Sequence, residues 1–503
     1  MGRMRALLLS FLGGAVFLSY EIYWVRIFSF ATSSRPYTFG LVLGIYLTGL
    51  ALGALAARFL YIPSRSSSRR ILGWLYLASV LLCYLTIPLT VWFAALKFYG
   101  YWYGLIPLFL AACLFGGIFP LLVKAAGIRE EEAGHGVALL SGANILGSLA
   151  GSLTAGFYLM DVLPLARASA LSALFGLACA LLAFPLPGRK PSFRKLLPLL
   201  LVPAAAGGIL AANGLLHNEM YKKLMYMPRH VVKRPFQEVI ENKSGVICLS
   251  DEGVVFGDGA YDGRLNTDLY PKTNAEIEMA YLTFLFHPEP RRILVVGLAT
   301  GAWTQVMVHG PGVESVTAIE INPGYLELIE QSPEVSSLLT NPKVEIVIDD
   351  GRRWLDRNRE ERFDYIVLNT TFHWRSGATN LLSREFLALV KDHLNPGGVA
   401  LINTTGSREA AATAEEAFPH LAAYGIYLAA SESPMELDKE RFTRIIDEYR
   451  VEGKDVLDLS DPEQAEELDY YLRQNYRREG ERWRQRAREA GIITDDNMLT
   501  EFR

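Results

Sequence analysis

Apolar and polar positions are segregated along this chain. No Asp, Glu, Lys or Arg occurs in 36–57, 71–96, 98–123, 133–160, 168–188 or 196–218. Each gap exceeds the ~20 residues an α-helix needs to cross a hydrocarbon core. A seventh apolar stretch, 6–30, is interrupted by Glu21 and Arg26. The pattern predicts seven transmembrane helices within 1–217. Gly49/Gly53 and Gly147/Gly151 have the spacing that lets two helix backbones approach closely in lipid. Glu21 is the one acid well inside a span. A carboxylate there is costly, and both a structural role inside the bundle and a substrate-binding role stand open.

Beyond 217 the periodicity changes twice. Short apolar runs separated by turn residues (Ser244 to Leu249, Gly253 to Gly259, Asp262-Gly263) predict a small antiparallel sheet over 235–265. A helix is expected over about 274–286, closed by Pro288 and Pro290. Five strands follow, at 293–296, 315–319, 344–348, 365–368 and 399–402, with helical segments between them. That alternation predicts a Rossmann-like α/β layer, a parallel sheet covered on both faces, whose ligands bind at the carboxyl ends of strands. The tail, about 435–490, reads as charged helix with a solvated face. The expected domains are a transmembrane bundle (1–217), a linker with a small β domain (218–273), a Rossmann-like nucleoside-binding domain (274–430) and a charged helical tail (431–503).

Charge sharpens this division. Residues 1–217 hold 16 Lys/Arg and 5 Asp/Glu, net +11, and the remaining residues are net −15. The acidic soluble half excludes nucleic acid as an expected partner. Four cysteines without CxxC or His/Cys spacing predict neither a disulfide scaffold nor a metal site.

Successive strand ends carry ligand chemistry. Gly297 and Gly301 flank a turn where backbone can approach a ligand. Glu320 ends the next strand about 20 residues on, where a carboxylate can accept ribose hydroxyls. Asp350-Gly351 ends the third, where an acid can accept an adenine amino hydrogen. Asn369 ends the fourth. Together these predict nucleoside binding by Gly297, Thr300, Gly301, Glu320, Asp350, Gly351 and Asn369.

His287-Pro288, Ile293-Leu-Val-Val-Gly297, Ile319-Glu320-Ile321-Asn322-Pro323, Asp350-Gly351 and Phe363-Asp364-Tyr365-Ile366-Val367 make residues 235–405 resemble the catalytic domain of spermidine synthases, the polyamine aminopropyltransferases, preceded by their small β domain. The whole chain resembles membrane-fused, spermidine synthase-like bacterial proteins, and Thr494-Asp495-Asp496-Asn497 is similar to fused members. The resemblance implies S-adenosylmethionine or its decarboxylated form as co-substrate, an amine acceptor, and a dimer.

Two departures matter. The family's acidic residue in the first glycine-rich turn is Thr300 here, which leaves intact S-adenosylmethionine open as a ligand. The family's Asp-Ser-Thr-Asp after the fourth strand is Asn369-Thr370-Thr371-Phe372, so the family's base is absent. His373 is the expected replacement base beside Asn369, because imidazole titrates near neutrality. Trp374 and Arg375 are expected to touch the acceptor by stacking on a cation or gripping an anion, with Asp258 and Asp262 as acidic partners. Asp268, Glu276 and Glu278 are further acids on that side.

The expected activity is alkyl transfer, of aminopropyl type, to an amine or a membrane-associated nucleophile. A methyl or aminocarboxypropyl transfer to a lipid, and a non-catalytic nucleoside-binding sensor or transporter, are the alternatives. Membrane lipids are expected partners. Twelve basic residues on the N-terminal face against eight opposite favour a cytoplasmic N-terminus, which with seven spans puts the soluble half outside. A cytosolic co-substrate argues for the reverse. The protein is assigned to the cell (inner) membrane as a multi-pass chain, with the soluble half in the cytoplasm and the opposite side left open.

Overall fold

The computed structural model describes residues 2–59, 64–128, 133–185, 193–271, 276–474, 476, 489–497 and 500–502. The chain forms two compact units, Met1–Val246 and Ile247–Arg503, so the division falls about 30 residues beyond the expected end of the membrane bundle.

Among the described residues, seven helices are long and apolar enough to cross a membrane: Arg3–Ala31, Tyr37–Arg58, Ser67–Leu96, Gly100–Ala126, Gly134–Val162, Leu165–Ala183 and Leu196–Leu216. Both glycine pairs mark close backbone contacts. A Cβ on Gly147 would strike the carbonyl of Phe11, and one on Gly151 the backbone of Ala15. Gly49 and Gly53 pack in the same way on 109–113. Glu21 is buried and makes no hydrogen bond or ion pair with another described residue. Arg26 leaves the helix to donate to the carbonyls of Asn242 (3.0 Å) and Lys243 (2.8 Å). Glu241 accepts from the Leu165 N–H at 2.8 Å and the Tyr221 hydroxyl at 2.7 Å. The last residues of the first unit are therefore pinned to its helices.

The small sheet has the order β1-β2-β3-β4, formed by β1 (Glu238–Asn242), β2 (Gly245–Leu249), β3 (Val254–Gly257) and β4 (Ala260–Arg264). The unit boundary falls inside β2. The main sheet contains the five expected strands, β5 (Arg292–Val296), β6 (Ser315–Glu320), β7 (Val344–Ile348), β8 (Phe363–Leu368) and β9 (Leu394–Asn403), all parallel. Two further antiparallel strands, β10 (His420–Tyr424) and β11 (Tyr427–Ser431), extend its edge, giving the order β10-β11-β9-β8-β5-β6-β7. They follow one another through a tight turn and needed no crossover helix, so the strand–helix alternation did not reveal them.

Side-chain alternation divides the core between the two faces of this sheet. Ile293, Val295, Tyr365, Val367, Val399 and Leu401 face one apolar cluster, and Leu294, Val296, Ile366, Leu368, Ala400 and Ile402 face the other. The first cluster also takes in Phe442 and Ile446 from helix Lys439–Glu448, Tyr449 just after it, and Leu468 and Tyr471 from helix Pro462–Arg473. The charged tail is therefore part of this unit's core, and its charges occupy the outer helix faces. Within the tail read as helical over about 435–490, the second helix spans Pro462–Arg473. Residues 477–488 lie outside the described residues, as do 274 and 275 at the expected start of helix Glu278–Phe286.

Gly147→Leu puts a branched side chain where the Phe11 carbonyl lies. Overpacking of this kind costs about 1–3 kcal/mol. The variant is expected to melt several degrees below the parent in detergent, as followed by static light scattering of the full chain.

Candidate functional site

β5 has β6 on one side and β8 on the other, so the chain reverses its direction of winding there. The carboxyl ends of β5 and β8 flank the crevice that such a reversal opens. Val296 pairs with Leu368, which sets Gly297 against Asn369. The Asn369 N–H bonds the Val296 carbonyl at 3.0 Å and the Gly297 N–H bonds the Ile319 carbonyl at 2.9 Å. Gly297 has φ +94°, and a Cβ there would collide with the Asn369 carbonyl. This position admits only glycine on both counts.

A cleft opens over this point. Its lining comprises the turn Leu298–Thr300, the strand end Asn369–Phe372, Tyr261 to Arg264 of the β4 hairpin, Glu276, Trp303, Asn403, Thr405, Ile426 and Tyr427. Of the expected site residues it brings together Thr300, Asn369 and Asp262. Gly297, Gly301, Glu320, Asp350, Gly351, Asp258, His373, Trp374 and Arg375 do not line it.

Several of those residues sit immediately behind the lining. Glu320 is buried. Its Oε2 accepts the Ala299 N–H at 3.1 Å, and its Oε1 accepts the Asn322 N–H at 2.9 Å. Burial pushes its carboxyl up to about 7, against the pull of those main-chain donors. Asp350 caps helix Gly351–Arg357 by accepting the Arg353 N–H at 2.8 Å. Gly351 packs on Val296, where a Cβ would collide.

Asp262 reaches into the cleft from the small sheet and accepts a hydrogen bond from the buried Tyr325 hydroxyl. Burial raises its carboxyl above the usual range, the Tyr325 bond and the Arg375 charge lower it, and Asp258 adds to the rise. Arg375 is itself buried, donates to Thr371 Oγ1 at 2.7 Å, and lies 4.0 Å from Asp258. Trp374 stacks on Phe372 with ring centroids 5.2 Å apart and planes 15° apart. The main-chain N–H of His373 donates to Thr405 Oγ1 at 2.9 Å, and its Nδ1 lies 2.8 Å from the same oxygen.

Sequence reasoning undervalued the far wall. Glu276 accepts from the Tyr427 hydroxyl, and Tyr427 packs beside Trp303 at 5.6 Å. Burial, then Glu276, push the Tyr261 phenol up to about 12. Two carboxylates (Asp262, Glu276) and four aromatic rings (Tyr261, Trp303, Phe372, Tyr427) thus share one cleft, a combination suited to an organic cation. Glu276, Ala299 and Thr405 all have positive φ (+54°, +49° and +49°). For β-branched Thr405 that is a strained backbone, held by its N–H to Asn403 Oδ1 at 2.9 Å. Tyr427 and Thr405 carried no sequence signal, because each follows a strand end that only the folded sheet brings to the cleft. Among the described residues no group of three His, Cys, Asp or Glu is arranged to hold a metal ion.

The Glu320 carboxyl ionises less readily when folded than when unfolded. Its contribution to stability is therefore complete below about pH 4.5 and is lost as pH rises through about 7. Glu320→Gln is expected to flatten this slope, raising the melting temperature relative to the parent at pH 8 more than at pH 5, by differential scanning fluorimetry across pH.

Residues 276–417 match the family described as the spermine/spermidine synthase domain. The polyamine aminopropyltransferase of Mycobacterium tuberculosis is 27% identical over 303 residues, covering 57% of this chain and 54% of that protein. The chain thus spans about half the length of that relative. Polyamine aminopropyltransferase 2 of Streptomyces coelicolor is 26% identical over 418 residues, 79% of this chain and 73% of that protein. A crystal structure of spermidine synthase in complex with the transition-state analogue AdoDATO is 20% identical with a TM-score of 0.36, covering 47% of this chain and 88% of that one.

Proposed function

Since the C-terminal part of the chain carries a spermidine synthase domain, we propose that the protein is a membrane-anchored transferase moving an aminopropyl-type group from decarboxylated S-adenosylmethionine to an amine. The observation that carries this reading is the shared cleft. Thr300 and Asn369 lie at the strand ends suited to a nucleoside, and Asp262 and Glu276 line the same cleft with Tyr261, Trp303 and Tyr427. Carboxylates and aromatic faces favour ammonium groups on both the transferred chain and the acceptor. A donor that still carries its carboxylate is disfavoured by the same charges.

The bound co-substrate supplies an alkyl carbon activated by its sulfonium. The amine nitrogen forms the new C–N bond as the C–S bond breaks, the electron pair passes to sulfur as a neutral thioether, and the nitrogen gives up one proton. The chain's own residues position the partners and accept that proton. Glu320 and Asp350, behind the lining, are the residues we assign to the ribose and adenine, with the turn 297–301 against the nucleoside. Asp262 and Glu276 hold the amine, with Asp258 and Arg375 setting the charge around Asp262.

His373 is the proton acceptor in this scheme, acting through Thr405. The Thr405 oxygen accepts the His373 main-chain N–H, and with Nδ1 unprotonated, the tautomer this scheme uses, the Thr405 hydroxyl donates to Nδ1. Because Thr405 lines the cleft, one hydroxyl links the acceptor to an imidazole that does not. Trp374, stacked on Phe372, braces the loop. Asn369 orients the strand end without taking the proton.

Thr300 and Arg264 in the lining favour a second reading, transfer of an aminocarboxypropyl group from intact S-adenosylmethionine, because Arg264 can pair with a carboxylate. Full-length protein in nanodiscs, given an α,ω-diamine and either donor, decides between them by which one yields the thioether nucleoside. Thioether from neither donor, with diamines or with lipid extracts as acceptor, would sink the transferase reading.

Asp262→Asn is expected to raise the KM for diamine at least tenfold while donor affinity stays within a factor of about two. Thr405→Val and His373→Ala are each expected to lower kcat about 10²-fold, and the double variant to be no slower than either, as a relay requires. Steady-state thioether release measures both.

A further inference from the structure

The motif Thr494-Asp495-Asp496-Asn497 has no place in the chemistry above, yet the segment that carries it runs directly onto the loop bearing His373. Asp495 takes both guanidinium nitrogens of Arg352 (2.7 and 2.6 Å) and accepts from Ser383 Oγ at 2.6 Å. Arg352 directly follows Asp350-Gly351, and its Nη1 also donates to the Asn380 carbonyl at 3.1 Å. Asn497 shapes the segment itself, accepting from Thr494 N–H at 3.0 Å and donating to the Ile492 carbonyl at 2.8 Å. Further on, Thr500 Oγ1 donates to the His373 carbonyl at 3.0 Å. Glu501 is 3% exposed, and its Oε1 accepts both the N–H (3.1 Å) and the hydroxyl of Thr379.

We propose that residues 493–497 and 500–501 form a clasp that sets the loop 373–383, with Asp495 and Glu501 as positioning residues that join the strand end at Asp350-Gly351 to His373. This rests on the reading of His373 and Asp350 given under Proposed function. Three facts carry it further than ordinary packing. The two ends of the clasp grip different elements, the helix that starts at Gly351 and the loop after β8. Arg352 bonds the loop directly as well as the clasp, so a shift at Gly351 is felt at both. Glu501 is a buried carboxylate spent wholly on one loop residue, where an apolar side chain would serve simple packing better. A bidentate Arg–carboxylate pair also fixes orientation as well as distance. Donor bound at Asp350 is therefore expected to tighten the loop that presents His373.

The test uses the full-length chain in nanodiscs. Hydrogen exchange of the 373–383 amides is followed with and without decarboxylated or intact S-adenosylmethionine, alongside donor titration and steady-state turnover. In the parent, donor is expected to slow exchange of these amides at least about fivefold. Glu501→Ala and Asp495→Ala should abolish that slowing while donor affinity stays within about twofold. Turnover should fall about tenfold in kcat with little change in donor KM. Glu501→Gln keeps an acceptor oxygen for Thr379 and should recover most of both signals. If loop exchange is insensitive to donor in the parent, or stays donor-sensitive in Glu501→Ala and Asp495→Ala, the clasp is overturned. If the variants lose donor-dependent protection although no form of the protein turns over, the clasp stands and the transferase reading fails. Equal loss of donor affinity and melting temperature in all three variants, Glu501→Gln included, means general destabilisation and also overturns it.

Discussion

The C-terminal unit depends on one steric constraint: two parallel strands end side by side with no side chain between them. Because β5 and β8 are paired through Val296 and Leu368, Gly297 lies beneath the Asn369 carbonyl, where a Cβ cannot fit. The absence of that one atom lets both strand ends stay in register up to the crevice. The turn 298–300 and the run 369–372 then face a common space. Gly351 meets the same limit against Val296. Neighbouring loops inherit their positions from these contacts, including the helix capped by Asp350 and the loop bearing His373.

Charge within the unit follows from this geometry. The strand end carries the amide Asn369, and the cleft's carboxylates come from the small sheet (Asp262) and from Glu276, two residues before helix Glu278–Phe286. Arg375, close to Asp258 and felt by Asp262, keeps this acidity from accumulating on one side. The cleft thus draws its carboxylates from Asp262 and Glu276 beside Tyr261, Trp303 and Tyr427.

Much of the architecture was legible in the sequence, and for physical reasons. Charge-free gaps longer than a bilayer crossing have few interpretations, and all seven helices appear. The parallel strands are short apolar runs, four of which run into Gly, Glu, Asp or Asn, and each appears within one or two residues of its expected limits, except β9, which begins five residues earlier. Antiparallel β10 and β11 were not legible, because their Ala-rich sequences resemble helix and their pairing is tertiary. The cleft was half legible. Thr300 and Asn369 lie just past strand ends and Asp262 in β4 beside Gly263, and the chemistry of each was visible in the sequence. Trp303, Thr405 and Tyr427 are single residues whose contribution comes only from where the sheet delivers them. Two of the motifs also hold the fold together. Asp364 accepts the N–H groups of Arg291 and Arg292 at the start of β5, and Asn322 caps the turn after Glu320 through the Gly324 N–H.

The left-handed backbone at Thr405 has a practical consequence. Asn or Gly relieves such strain at little cost, so a search that rewards thermal stability alone will be drawn to replace this residue. The replacement removes the hydroxyl between His373 and the cleft. On the relay proposed for Thr405 and His373, selection for robustness and selection for turnover pull in opposite directions at this one position, and sequences gathered by either criterion should separate there first.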